Sequence, residues 1–169
     1  GVACYIREDL CFNLSKVFSK EIEAVFFDLL FPKMKPISIG IFYRPPTQNN
    51  FQDTINRELK NLDIDRKETY LLGDLNVNLL CGTKYILNEK SFCNRSSAIG
   101  PLINKYKEFC QKFSFTQLIR NPTCITSNSS TLLDHILSNS KYYVSYHGVI
   151  EIGLSDHQLV FCTRKINIL

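Results

Sequence analysis

A chain of 169 residues, 44% hydrophobic, 21% charged and 12% aromatic, has the composition of one globular domain, which excludes a disordered or low-complexity chain. Twenty Lys and Arg against sixteen Asp and Glu leave a formal charge of +4; this permits a nucleic-acid partner, but no dense basic run demands one. Seven scattered cysteines without a Cys-x-x-Cys pair argue against a structural zinc site or a redox motif and for a reducing, intracellular setting. The opening residues lack the pattern of a secretory signal. No apolar run approaches the roughly 20 residues of a membrane span. The longest candidate, residues 24–31, is broken by Asp28 and stopped by Pro32.

Gly1 opens the chain without a methionine, and residues 2–6 read as a strand in mid-sheet, so the chain is expected to be cut from something longer. Residues 21–30, apolar and β-branched, read as a second strand reached through a polar loop. Residues 36–43 form a third, with Ile37, Ile39 and Ile41 alternating against Ser38, Gly40 and Phe42. Arg44-Pro45-Pro46 ends it, because proline removes ladder donors and restricts the residue before it. A helix follows, capped by Thr47 or Asn49, with Phe51, Ile55, Leu59 and Leu62 on one stripe. Next, Tyr70, Leu71 and Leu72 form a short buried strand that stops at Gly73 and presents Asp74 and Asn76 to one side.

Residues 77–97 are polar and aperiodic and read as a long surface loop, a length that is often functional. A second helix carries Leu102, Ile103, Tyr106, Phe109, Cys110 and Phe113 on one face. Residues 115–119 make a short strand and residues 120–123 a turn. Residues 132–137, 142–152 and 158–165 supply three more strands. Strand groups separated by two helices predict a layered α/β or α+β fold.

The polar residues at strand ends are the chemical candidates. Asp74 and Asn76 offer a carboxylate that can take a proton or bind a metal and an amide that can donate to a phosphate oxygen; a turn in which both bond their own backbone is the other reading. Two of the three histidines follow an aspartate directly, as Asp134-His135 and Asp156-His157. Asp134 lies inside an apolar run, where a carboxylate is costly without a partner, and histidine is a common one. Asp156-His157 lies in a turn and could be loop chemistry alone. Together, Asp74, Asn76, Asp134, Asp156 and His157 could support metal-assisted hydrolysis of a phosphate ester.

Four ordered motifs carry a resemblance. Tyr43-Arg44-Pro45-Pro46, Gly73-Asp74-Leu75-Asn76, Thr131-Leu132-Leu133-Asp134-His135 and Ser155-Asp156-His157 resemble those of the endonuclease/exonuclease/phosphatase superfamily, in the form found in the endonuclease domains of non-LTR (LINE-type) retrotransposons. That resemblance implies a DNase I-like sandwich of two packed β-sheets flanked by helices, as one domain over residues 1–169, and magnesium-dependent cleavage of DNA phosphodiesters. It implies that Asp74 orients or deprotonates the attacking water, that Asn76 binds the phosphate, and that His157 stabilises phosphoryl charge with Asp134 holding its ring. Asp156 would help hold Mg2+, Tyr43 would contact the phosphate, and Arg44 would touch the DNA backbone or stand as a solvated turn arginine. His135 reads as packing and His147 as surface.

The resemblance also sets expectations about what lies outside the chain. The family's first strands, with an Asn and a metal-binding Glu, would precede Gly1; Glu8 and Glu21 do not match that motif. The fragment alone is therefore expected to bind magnesium weakly and to nick DNA little. A reverse transcriptase would follow in the parent polyprotein, acting in the nucleus on chromosomal DNA. The alternatives are a catalytically dead transposon remnant that at most binds nucleic acid and a phosphatase of the same superfamily.

Overall fold

Strand and helix periods in the sequence sort the chain into a sheet with one face under helices and the other under a hairpin. The computed structural model describes residues 1–18, 23–48, 51–80, 84–87, 90–93 and 100–165. In chain order its strands are β1 (Cys11–Phe18), β2 (Glu23–Leu30), β3 (Ile37–Tyr43), β4 (Glu68–Asp74), β5 (Lys84–Leu87), β6 (Lys90–Cys93), β7 (Thr116–Gln117), β8 (Cys124–Ile125), β9 (Ser130–Thr131), β10 (Asp134–Ser138), β11 (Val144–Ile150) and β12 (Leu159–Arg164), with helices α1 (Phe51–Asn61) and α2 (Gly100–Lys112).

A six-stranded sheet runs in the order β1-β2-β3-β4-β10-β7. Its β3–β4 pair is parallel, joined by the crossover through α1, and its other pairs are antiparallel. Alternation then decides what faces what. Phe26, Phe42, Leu71 and Leu137 point to one face and bury against Ile55 and Leu59 of α1 and Phe109 and Phe113 of α2. Each such side chain contributes roughly 1.5–3 kcal/mol on leaving water. Leu72 and Ile136 point to the other face and pack with Val149, Val160 and Cys162 of the antiparallel β11–β12 hairpin, the second sheet. Beside that hairpin, Phe27, Ile39, Ile41, Cys4 and Ile6 line an apolar cavity of about 490 Å³.

Four expectations need correction. Residues 2–6 alternate between exposed and half-buried but belong to no strand. The segment read as a polar loop is instead β1, an edge strand whose Phe12 and Leu14 stay 48% and 59% exposed, so polar Asn13, Ser15 and Lys16 obscured its period. Within 77–97, β5 and β6 form a small antiparallel hairpin. Residues 81–83, 88–89 and 94–97 of that loop, the start of the second strand at 21–22 and the cap at Asn49 lie outside the described residues. The turn after residue 120 leads into a second short ladder, β8 with β9. Among the described residues, no helix is long and apolar enough to cross a membrane.

His135 shows how the layers are tied together. It is 1% exposed, its Nδ1 lies 2.8 Å from the Tyr106 hydroxyl of α2, and its Nε2 lies 3.1 Å from the Val77 carbonyl. A carbonyl only accepts, so Nε2 carries the hydrogen and Nδ1 receives the tyrosine proton. Burial holds the ring neutral and pushes its pKa down to about 4, against the raising effect of its backbone bonds to Val77 and Leu132. A depressed pKa means that the folded state loses stability as pH falls from the unfolded value near 6.5 toward about 4, by on the order of 3 kcal/mol. Urea denaturation at pH 7 and pH 4.5 should show this loss, and His135→Gln should be less stable at pH 7 yet flatter across the interval.

Candidate active site

The site begins where β4 leaves β3. Parallel pairing holds through Leu72, and Gly73 then takes φ +146°, with a hypothetical Cβ falling 1.8 Å from the Phe42 carbonyl oxygen. Only glycine allows that approach. One residue on, Asp74 pairs in register with Asp134 of β10. The Leu75 N–H donates to the Leu133 carbonyl at 3.0 Å and flanks this pair, the arrangement in which side chains on adjacent strands stand closest. Both carboxylates share the sheet face of Leu72 and Ile136, so the fold sets two acids side by side.

Each acid has its own support. Asn76, at φ +48°, turns back so that its N–H donates to Asp74 Oδ1 at 2.9 Å. Its amide Nδ2 donates to Asp74 Oδ2 at 3.2 Å and to the Arg44 carbonyl at 2.9 Å. The expected free amide donor for a phosphate is therefore engaged within the protein, and Asn76 positions Asp74. Burial raises the Asp74 pKa most, with Asp134's charge adding, while the Asn76 hydrogen bonds and His157 pull it down. Arg44 is also corrected: it is 4% exposed, neither solvated nor free for DNA. Its guanidinium donates to the carbonyls of Leu75, Asn76 and Gln48 at 3.1, 3.3 and 3.0 Å, and its N–H to the Asp74 carbonyl at 2.9 Å. It braces the turn.

Asp134 is held by histidine. His157 Nδ1 lies 2.9 Å from Asp134 Oδ2, and since a carboxylate accepts, Nδ1 carries the hydrogen and Nε2 is left to act. The two residues meet because of Thr123, which sequence reading passed over as part of a turn. Its fully buried hydroxyl accepts the N–H groups of Leu133 and Asp134 at 3.0 and 2.9 Å, and its carbonyl accepts that of Gln158 at 2.7 Å. One residue thus fixes both partners. Asn78 does similar work, its side-chain oxygen accepting from Leu80 and Leu132. A Thr after Pro122 in an otherwise polar turn was the only signal available.

Asp74, Asn76, Asp134 and His157 are thus one constellation, and the ligand atoms of Asp74, Asp134 and His157 all lie within 4.8 Å of one another. By alternation along β3, Tyr43 occupies the same sheet face, with Arg44 opposite Asp74 beside it. Asp156 is exposed at the rim, 3.8 Å from the Cys124 thiol rather than among the other acids. His147 is exposed and His135 faces the helices.

No family model and no curated protein matches the sequence. Solved structures do match the fold. The endonuclease domain of TRAS1, a telomere-specific non-LTR retrotransposon, aligns with a TM-score of 0.69 at 12% identity over 95% of this chain and 71% of that one. The chain has the endonuclease/exonuclease/phosphatase fold. A family protein from Leptotrichia buccalis C-1013-b aligns at 0.54 with 15% identity over 93% of this chain and 60% of its own. One from Bacteroides thetaiotaomicron aligns at 0.50 with 15% identity over 81% of this chain and 52% of its own. The chain therefore spans about half to seven-tenths of these proteins.

Within this endonuclease/exonuclease/phosphatase fold, the polar supports can be tested apart from activity. Thr123→Val keeps the shape but strips an acceptor from two N–H groups, and should cost roughly 2–4 kcal/mol in chemical denaturation. Gly73→Ala must move Phe42's backbone as well as strain its own, and should cost more than about 3 kcal/mol.

Proposed function

We propose that this chain is a DNA-nicking endonuclease domain of non-LTR retrotransposon type, hydrolysing phosphodiesters with magnesium. The observation that carries the reading is the joint placement of Asp74, Asn76, Asp134 and His157 around the end of β4 and the start of β10. The likeness in fold to the TRAS1 endonuclease domain supports the same choice of substrate class.

In this reading Asp74 orients the attacking water and accepts its proton, and a carboxylate whose pKa burial raises is a better base than an exposed one. Asn76 keeps both Asp74 oxygens in place. His157, oriented by Asp134, presents Nε2 to the charge that develops on the phosphoryl oxygens. Tyr43 contacts the phosphate from the same face.

Of the donors present, Asp156 offers a hard divalent cation one free carboxylate, so this chain alone would hold magnesium weakly. Asp156 is an exposed carboxylate with no ion pair among the described residues, and Asp74 with Asp134 concentrates negative charge nearby. Magnesium typically takes one or two carboxylates and fills its remaining positions with water. When bound, it polarises the phosphate and neutralises charge on the leaving oxygen. A reverse transcriptase downstream in the same polyprotein and action on chromosomal DNA in the nucleus complete the proposal.

The test is nicking of supercoiled plasmid by the longest natural translation product containing these 169 residues. Magnesium should support nicking and a chelator should abolish it. Asp74→Ala and His157→Ala should each slow it by about 10²-fold or more. Nicking that survives Asp74→Ala unchanged overturns the assignment.

A further inference from the structure

We propose that Cys124, Asp156 and His157 form a second cation site, suited to a borderline-soft divalent ion of the zinc class, whose occupation withdraws His157 from phosphodiester cleavage. The inhibitory half rests on the endonuclease reading, whereas the site itself does not. Cys124 and His157 stand directly opposite each other in an antiparallel bridge. The Ile125 N–H donates to the Asp156 carbonyl at 2.8 Å and the Gln158 N–H to the Thr123 carbonyl at 2.7 Å. These two bonds bracket the pair, which is the register that brings side chains closest. The backbone therefore aims a thiol and an imidazole at one point, and Asp156 reaches it from the adjacent position.

The distances suit zinc. Bonds of about 2.3 Å to sulfur and about 2.1 Å to oxygen at a tetrahedral angle hold the two ligand atoms about 3.6 Å apart. Cys124 Sγ and Asp156 Oδ2 are 3.8 Å apart. All three donors lie within 4.8 Å of one another, so a small side-chain adjustment closes the site and leaves a fourth position for water. Cys124 is 8% exposed and Asp156 is exposed, so an ion enters from the Asp156 side. A thiolate, an imidazole and one carboxylate favour zinc, whereas magnesium favours oxygen donors. The cation replaces the thiol's proton: the S–H bond breaks and its proton leaves to solvent as the S–metal bond forms.

Competition follows from shared residues. His157 belongs both to this set and to the Asp74–Asp134 set, and Asp156 is the carboxylate assigned to magnesium. An ion bound by sulfur therefore removes the ring that Asp134 orients and the carboxylate that a hard ion would use.

Cobalt(II) reports such a site without any enzymatic assay. Titrating the full chain with cobalt should give one equivalent of a sulfur-to-cobalt charge-transfer band in the near ultraviolet, bleached by zinc. Cys124→Ser should weaken cobalt binding by more than about 100-fold, since losing even an outer-shell partner of a metal costs about 10–100-fold. Asp156→Asn alters an exposed residue and serves as a second variant that leaves the core intact; it should weaken binding too. Cys11→Ser should not change the band. A band that persists in both Cys124→Ser and Asp156→Asn overturns the site, whether or not the protein nicks DNA. In the plasmid assay, micromolar zinc should inhibit the wild type and spare Cys124→Ser. Equal inhibition of the two, with the cobalt band intact, overturns the inhibitory half alone, and a protein that never nicks fails the endonuclease reading while its band still decides the site.

Discussion

Two like charges in register are the constraint to which the rest of the site answers. Asp74 and Asp134 face each other across β4 and β10 on the closest type of cross-strand pair, a placement that disfavours folding when both are ionised. The surrounding groups relieve it asymmetrically. Asp134 takes a histidine, and Asp74 takes the N–H groups of Asn76. The result is two carboxylates in different surroundings, one oriented toward a ring and the other half-buried with a pKa that burial raises. Differentiating two acids by environment is how a site obtains distinct roles from one residue type.

Holding that arrangement takes an unusual amount of buried polar structure. Arg44, Thr123, Asn78 and His135 are all buried, and each bonds backbone of the segments that carry the acids. Arg44 fixes the turn after β4, Thr123 fixes the start of β10 and the approach of His157, and His135 ties Val77 to α2. These groups gain little net stability from burial, since each bond replaces one to water. What they provide is position. A loop carrying Asp74 held only by apolar contacts could slide by an ångström, and catalytic geometry tolerates less than that.

Much of this was legible in the sequence wherever a period was clean. The stripe from Phe51 to Leu62 and the alternation from Ile37 to Phe42 each correspond to an element of the structure, and the strand expected over residues 70–72 lies within β4, which runs on through Gly73 to Asp74. Gly73 was readable as a break in a buried strand, and the pairing with β3 does end beside it, although β4 itself continues to Asp74. β1 was not, because an edge strand half in solvent carries Asn13, Ser15 and Lys16 and looks like a loop. β8 and β9 were not, because two-residue ladders have no period at all. The roles of Arg44 and Asn76 depended on what lay nearby in space: a donor looks alike in sequence whether it meets a phosphate or a carbonyl.

The two Asp-His dipeptides show where sequence reasoning stops. Asp134-His135 and Asp156-His157 are chemically identical, yet they divide the work in opposite ways. Along β10, strand alternation sends Asp134 to the face shared with Asp74 and His135 to the helix face, where burial keeps it neutral. In the turn before β12, the bridge to Cys124 fixes His157 beside Asp134 and leaves Asp156 at the rim. Parity and bridge register, neither of them local to the dipeptide, choose which residue enters the site. One acid from the first pair and one histidine from the second make the functional couple. The pairing is therefore a product of topology: it exists only once β10 lies against β4 and the segment before β12 lies against Thr123.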